Sequence, residues 1–213
     1  LHLAVRRQRQ MCIRDRQVAI KIMARLTKSR VSRWASNPIE TQKKQLNYLI
    51  KNALNTSFGQ VHSFSKIKNY DDFKNHIPVR DYEGLREYFE QIKEGKKNVL
   101  WPGKPLYLAV TSGTTSGSKY IPITKQSLPN HLNGAKIALL MYVAETGKVD
   151  FINGKFIFIQ GSPVLSKISG ILTGRLSGIS AHHIPFYMKK NMLPSWSTNI
   201  IEEWENKIES LSL

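Results

Sequence analysis

Thr111-Ser112-Gly113-Thr114-Thr115-Ser116-Gly117-Ser118-Lys119 is a run of eight hydroxyl or glycine residues closed by a lysine. It follows the apolar segment Leu106-Tyr107-Leu108-Ala109-Val110 and precedes Tyr120-Ile121-Pro122-Ile123-Thr124. β-prone residues on both sides of glycine punctuation predict a strand, a turn and a second strand. The composition suits a polyphosphate. Glycines let the backbone turn tightly, so that several N–H groups can converge on one anion. Hydroxyls add donors without bulk, and the Lys119 ammonium strengthens hydrogen bonds to an anion by its charge. A flexible Ser/Gly linker is the competing explanation, but linkers do not usually join two apolar β-like segments or close on a lysine.

Known phosphate loops can be compared by spacing. A Walker A loop has four residues between its glycines and a Lys-Ser/Thr pair after the second. Here three residues separate Gly113 from Gly117, and Tyr120 follows Lys119. The GxGxxG dinucleotide fingerprint is absent. Ser116-Gly117-Ser118-Lys119 fits SxxK, but the same pattern recurs at Ser63–Lys66 and Ser65–Lys68, and no SDN or KTG partner is present.

The stretch resembles the phosphate loop of adenylate-forming enzymes, with its Ser/Thr-Gly-Thr-Thr/Ser core. With its flanks it looks like the auxin-responsive promoter (Gretchen Hagen) family of acyl acid amido synthetases, in its bacterial form. Supporting residues are spread along the chain: Asn37-Pro38-Ile39-Glu40-Thr41-Gln42, Asn55-Thr56-Ser57-Phe58-Gly59, Ile77-Pro78-Val79-Arg80-Asp81-Tyr82, Val99-Leu100-Trp101-Pro102-Gly103 and Gly174-Arg175-Leu176-Ser177-Gly178-Ile179. Many members have two residues between the second glycine and the lysine, where this chain has Ser118 alone.

The resemblance implies an α/β fold, the N-terminal part of an adenylate-forming enzyme. It implies ATP and Mg2+ as cofactors, and a carboxylic acid and an amino acid as small-molecule substrates. An acyl adenylate would form with release of pyrophosphate, and an amino acid amine would then displace AMP. Thr111 to Lys119 would hold the ATP phosphates: Ser112, Thr114, Thr115 and Ser116 as hydroxyl donors, Gly113 and Gly117 as the turn, Lys119 as the charge. No catalytic side chain and no metal ligand is assigned. The family's later adenylate-binding motifs, of Ser-Ser-Glu and Tyr-Arg-x-Gly-Asp type, are not in this chain. The expectation is therefore a fragment cut within its domain, inactive by itself. An acyl–coenzyme A ligase is the alternative enzyme, with a thiol acceptor in place of an amine.

Composition bounds the other classes. With 213 residues, 41% hydrophobic and 22% charged, the chain is ordinary globular material with room for a core. Its longest apolar run, Ile137 to Ala144, is far short of a membrane span. Cys12 is the one cysteine, which excludes an internal disulfide or a cysteine metal cluster. With no secretory pattern, the cytoplasm is the expected compartment. The net charge is +17, and residues 1–33, with eight Arg, two Lys and one Asp, supply +9 of it. A basic segment of this kind can bind nucleic acid, which is the non-enzymatic alternative. Residues 1–17 match nothing in the family and are expected to be a non-native basic leader. Residues 18–213 are then the N-terminal part of the large adenylate-forming domain.

Periodicity places the remaining elements. Residues 18–33 are expected as a surface helix with Ile22, Leu26 and Val31 on one side. Asn37-Pro38-Ile39-Glu40 starts a helix whose apolar set is Leu46, Leu49, Ile50, Ala53 and Leu54, ended by Asn55 to Gly59. A short helix follows near Tyr70–Asn75. Asp81 caps a further helix with Leu85, Phe89 and Ile92 buried, its row of glutamates solvated, and Gly95 as the stop. A helix from about Ser127 to Thr146 presents Ile137, Leu140, Met141 and Ala144 to a core. Lys155 to Gln160 reads as a strand buried on both faces. Gly161-Ser162-Pro163 is a weak ligand-loop candidate. Glycines 170, 174 and 178 suggest close packing or ligand contact. His182 and His183 read as structural rather than metal-binding. A last helix begins near Asn199, with Ile201, Trp204, Ile208 and Leu211 buried.

Overall fold

The computed structural model describes residues 2–111, 117–158 and 160–212. They divide into two compact units, residues 1–38 with 132–155, and residues 39–131 with 156–213.

The larger unit is built on the strands that flank the hydroxyl-rich loop. β1 (Tyr107–Thr111) and β2 (Lys119–Ile123) pair antiparallel, with Thr111 opposite Lys119 and Tyr107 opposite Ile123. The two predicted strands are therefore present and paired, and residues 112–116 of the predicted turn lie outside the described residues. β1 also pairs in parallel with a later strand, Ile171–Arg175, which itself pairs antiparallel with Ser166–Ile168. Phe156–Ile157 is β3, so these two are β5 and β4, and the sheet order is β2-β1-β5-β4. A mixed sheet with helices packed on it is the α/β class that the residues imply.

Among the described residues the α-helices before β3 are α1 (His2–Ala35), α2 (Pro38–Ala53), α3 (Ser57–Val61), α4 (Tyr70–His76), α5 (Arg86–Lys93) and α6 (Leu128–Thr146). After β5 come α7 (Leu176–His182), α8 (Phe186–Lys189), β6 (Met192–Leu193), α9 (Trp196–Ile200) and α10 (Trp204–Ser212). The helix starts have local causes. Asn69 accepts from the Asp72 N–H at α4 (2.9 Å), and Ser195 accepts from the Thr198 N–H at α9 (3.1 Å). Thr124 and Ser127 exchange side chain–backbone bonds of 2.9 and 3.0 Å just before α6. The Asp81 carboxylate accepts from the Gly84 N–H (2.9 Å), turning the chain into α5, and Gly95 ends that helix with φ +92°.

The sheet core joins Leu108 of β1 and Ile171 of β5 to Ile92 of α5 and Val99, with Tyr88 and Tyr120 packed against them. α7 packs against β1 and β5, and its Ile179 is fully buried. A second cluster sets Ile50 and Ala53 of α2 against Phe64. In the smaller unit, Ala24 of α1 meets Leu140 and Val143 of α6, and Val149.

Several expectations need correction. In α1 the packed stripe runs through Ile20 and Ala24, while Ile22 and Leu26 lie more than half exposed. Leu49 of α2 and Leu54 just after it are exposed, so the buried stripe is narrower than the pattern suggested. Gly59 does not stop a helix: it sits inside α3, where a Cβ would strike the Ala53 carbonyl oxygen. In α6, Val143 rather than Ile137 is in the core. Among the described residues of 155–160, only Phe156 and Ile157 are in a strand, and it is not buried on both faces. β3 is two residues long, pairs with β6, and leaves Ile157 three-quarters exposed. The last helix begins at Trp204, and Trp204, Ile208 and Leu211 are exposed rather than buried. The three glycines occupy three different elements. Gly170 makes the β4–β5 turn at φ +78°, Gly174 lies in β5 against Leu165, and Gly178 lies in α7 against the Ser162 carbonyl.

Candidate functional site

The hairpin register fixes both ends of the candidate phosphate loop. Thr111 is the last residue of β1 and Lys119 the first of β2, and they face each other across the pair. The loop is therefore a seven-residue connection, 112–118, closed at its base by a strand ladder. Of the predicted site residues, Ser112, Gly113, Thr114, Thr115 and Ser116 lie outside the described residues. Thr111, Gly117 and Ser118 are exposed, and Lys119 is half-buried. Gly117 has φ +78°, the left-handed region that glycine enters without steric cost. Its predicted role as a turn residue has that conformational basis.

Lys119 is held from below by aromatic residues that the sequence did not assign a role. Its ammonium lies 5.3 Å from the centroid of the Tyr82 ring. Tyr82 is stacked on the buried Phe89 of α5, centroids 4.7 Å apart and planes 20° from parallel. The Tyr82 hydroxyl accepts the Tyr120 N–H at 3.0 Å. β2 is the sheet edge, so this side chain satisfies a backbone donor on the side where no strand pairs. One turn further along α5, Lys93 lies 4.8 Å from the Tyr120 ring centroid while also pairing with Glu90 at 2.7 Å.

The local charges leave Lys119 available to an anion. Among the described residues no carboxylate lies within salt-bridge distance of it. Glu83 is near enough to feel its field, but the Arg86 guanidinium holds that carboxylate through a 2.6 Å hydrogen bond. Glu83 is accordingly held below the ordinary carboxylate range, first by the Arg86 bond and more weakly by the charge of Lys119. A cation seated on a ring keeps its full charge, whereas a carboxylate partner would neutralise it.

Other candidates resolve into structural roles. The Gly161 N–H donates to Ser177 Oγ (3.0 Å), and His182 Nε2 donates to the Pro163 carbonyl (2.7 Å), so the 161–163 loop is tied to α7. His183 Nε2 shares a 3.0 Å hydrogen bond with the Tyr107 hydroxyl. Burial, with a smaller contribution from His182, lowers the pKa of His183 below its ordinary value. That pair lies at the end of β1 away from the loop, four residues or roughly 13 Å distant. Among the described residues no group of three His, Cys, Asp or Glu is placed to hold a metal ion. An apolar cavity of about 180 Å³, lined by Ile92, Val99, Trp101, Pro122 and Thr124, lies toward the other end of β2 from Lys119. Among the described residues no helix is long and apolar enough to cross a membrane.

Comparison with known proteins bears on the family and the fold. The GH3 family N-terminal domain matches residues 27–210. Indole-3-acetic acid-amido synthetase GH3.15 of Arabidopsis thaliana is 34% identical over 74 residues, 33% of this chain and 12% of that protein. Indole-3-acetic acid-amido synthetase GH3.5 of the same plant is 28% identical over 145 residues, 66% of this chain and 23% of that protein. The chain thus spans less than a quarter of these relatives. Two solved structures of the GH3.15 acyl acid amido synthetase, one in complex with 2,4-DB, share the fold. Their TM-scores are 0.66 and 0.69 at 20% and 18% identity, over 79% and 84% of this chain and 29% and 32% of theirs. A GH3 family N-terminal domain match over residues 27–210, most of the chain, places this protein in the GH3 family.

Proposed function

We propose that this chain is the N-terminal, phosphate-binding portion of an ATP-dependent acyl acid amido synthetase acting in the cytoplasm. Residues 18–213 are then the first part of its large domain. The observation that carries the proposal is the hairpin: a hydroxyl- and glycine-rich loop closed at its base by the Thr111–Lys119 pair, with an unneutralised ammonium at its exit. Thr111, Ser112, Thr114, Thr115, Ser116 and Ser118 supply hydroxyls, Gly113 and Gly117 the turn, and Lys119 the charge.

In the first step the substrate carboxylate attacks the α-phosphorus of ATP, and the bond to the β-phosphate oxygen breaks. The products are an acyl adenylate and pyrophosphate. In the second, an amino acid amine attacks the acyl carbon, expelling AMP and losing a proton as the amide forms. The chain's own contribution belongs to the first step. Loop N–H groups, hydroxyls and Lys119 hold the phosphates in line and stabilise charge as it moves onto the leaving pyrophosphate. No protein nucleophile is required. Magnesium accompanies ATP and screens its phosphate charge. Glu83, which feels the charge of Lys119, is committed to Arg86, and Asp81 accepts the Gly84 N–H, so neither is offered as a ligand to the ion. No step is assigned to the ion. The relatives' names as amido synthetases support an amine rather than a thiol acceptor.

The test is AMP formation by the complete protein that contains this chain. AMP release that requires an acid and an amino acid, and falls at least tenfold in Thr114→Val, is expected on the loss of a hydrogen bond to a charged group. Equal turnover in the variant contradicts the loop assignment, and turnover with a thiol in place of an amine contradicts the acceptor.

A further inference from the structure

We propose that Tyr82 is a positioning residue for the phosphate site, setting both the start of β2 and the resting place of the Lys119 ammonium. The proposal rests on the assignment of Lys119 to the phosphates and adds to it a residue outside the loop.

Three contacts carry the inference, and all converge on one side chain. The Tyr82 ring is stacked on Phe89, which is 7% exposed and belongs to the α5 helix that packs on the sheet. The Tyr82 hydroxyl accepts the N–H of Tyr120, the residue next to Lys119. The outer face of the ring seats the Lys119 ammonium. The backbone and the side chain at the loop exit are thus both referenced to α5 through Tyr82. The Tyr120 ring is referenced to the same helix through Lys93.

The alternative is that Tyr82 only fills space beside Phe89. A space-filling ring needs no hydroxyl, and nothing would direct that hydroxyl to an edge-strand amide. The segment before α5 is also built to present the ring. The Asp81 carboxylate caps the Gly84 N–H, and Arg80 reaches the Gly84 carbonyl (3.4 Å), folding residues 80–84 into a tight turn with Tyr82 at its centre. The Arg86–Glu83 bond keeps the nearest acid off Lys119, so the ring face is what holds the ammonium near the loop. A long flexible side chain that is pre-placed loses less conformational freedom when a phosphate arrives.

The experiment is a double-mutant cycle in the complete protein, reading KM for ATP in acid-dependent ATP–pyrophosphate exchange. Tyr82→Leu removes ring and hydroxyl, and Lys119→Ala removes the ammonium. Tyr82→Leu is expected to raise KM for ATP by roughly threefold to tenfold, the size of a lost cation–π contact and hydrogen bond. KM for the acid should not move. In the Lys119→Ala background the same change should have at most about half that effect, because its partner is already gone. Tyr82→Phe, which keeps the stack on Phe89, isolates the Tyr120 amide contact and should raise KM for ATP by roughly twofold to fivefold. This milder change also serves if Tyr82→Leu does not fold. Additive effects, a rise in both KM values, or wild-type kinetics in Tyr82→Phe would overturn the positioning role while leaving the loop assignment standing. Wild-type KM in Lys119→Ala would overturn the loop assignment and the proposal together.

Discussion

The sheet of the larger unit and the helical smaller unit treat the same residue types in opposite ways. Leu108, Ile123, Ile171 and Ile179 around the sheet are all 2% exposed or less, whereas Val18, Ile22 and Leu26 on α1 are more than half exposed. The difference is in how many elements share each residue. A residue in β1 has strands on both sides and helices across the sheet. Around α1 and α6 the core is Ala24, Leu140 and Val143 with Val149 beyond α6, and many of the described residues of both helices face water. Apolar periodicity marks which residues can be buried. Whether they are depends on how many partners the fold supplies.

Substitution should expose this contrast most strongly in the sheet. Leu108→Ala is expected to cost about 2–5 kcal/mol, because the surrounding sheet cannot collapse into the space. Ile22→Ala on α1 should stay within about 0.5 kcal/mol, as for an exposed position without special contacts. Urea unfolding midpoints of the two variants check both; equal losses would break the comparison. An effect between these two, about 1–3 kcal/mol, is expected for Gly178→Ala, where the new Cβ meets the Ser162 carbonyl oxygen and must push the 161–163 loop off α7. An unchanged midpoint would mean that the loop gives way freely.

The same contrast governs what could be read from residues alone. The β1–β2 hairpin was legible because apolar β-formers flank a glycine-rich run, and a hairpin's register is fixed once its closing pair is set. The cap at Asp81 and the stop at Gly95 were legible because their chemistry is local, whereas the Asn69 cap went unread. The faces of α1, α6 and α10 were not. Ile22, Ile137 and Ile208 fit a helical stripe as well as Ala24 and Val143 do, and only tertiary partners choose between them. The brevity of β3 was hidden for the same reason: Phe156 to Phe158 is apolar, yet its one partner is the two-residue β6. At the site, the hydroxyls, glycines and lysine were legible as a type. Tyr82 was not, since its contacts with Tyr120 and Lys119 span 38 and 37 positions.

A fainter effect lies at the far end of β1. Burial, with His182 beside it, lowers His183 below its ordinary 6.5, so the unfolded chain binds the proton more readily than the folded one. The stability contributed by the neutral, Tyr107-bonded imidazole is complete above 6.5 and declines as pH falls from there through the lowered folded value. Unfolding midpoints at about pH 7.5 and about pH 5 should therefore differ less in His183→Gln than in the parent chain. An identical difference in both would remove His183 from the pH dependence.

The phosphate site itself is tested most directly by comparing two lysines in the complete protein. Lys119 leaves the hairpin at the loop, while Lys97 sits in the exposed turn after α5. Lys119→Ala should raise KM for ATP in acid-dependent pyrophosphate exchange by roughly tenfold or more, the loss of a charge-assisted phosphate contact, while Lys97→Ala should leave it unchanged. Equal KM values in the two variants would contradict the assignment of the Thr111–Lys119 loop to the ATP phosphates.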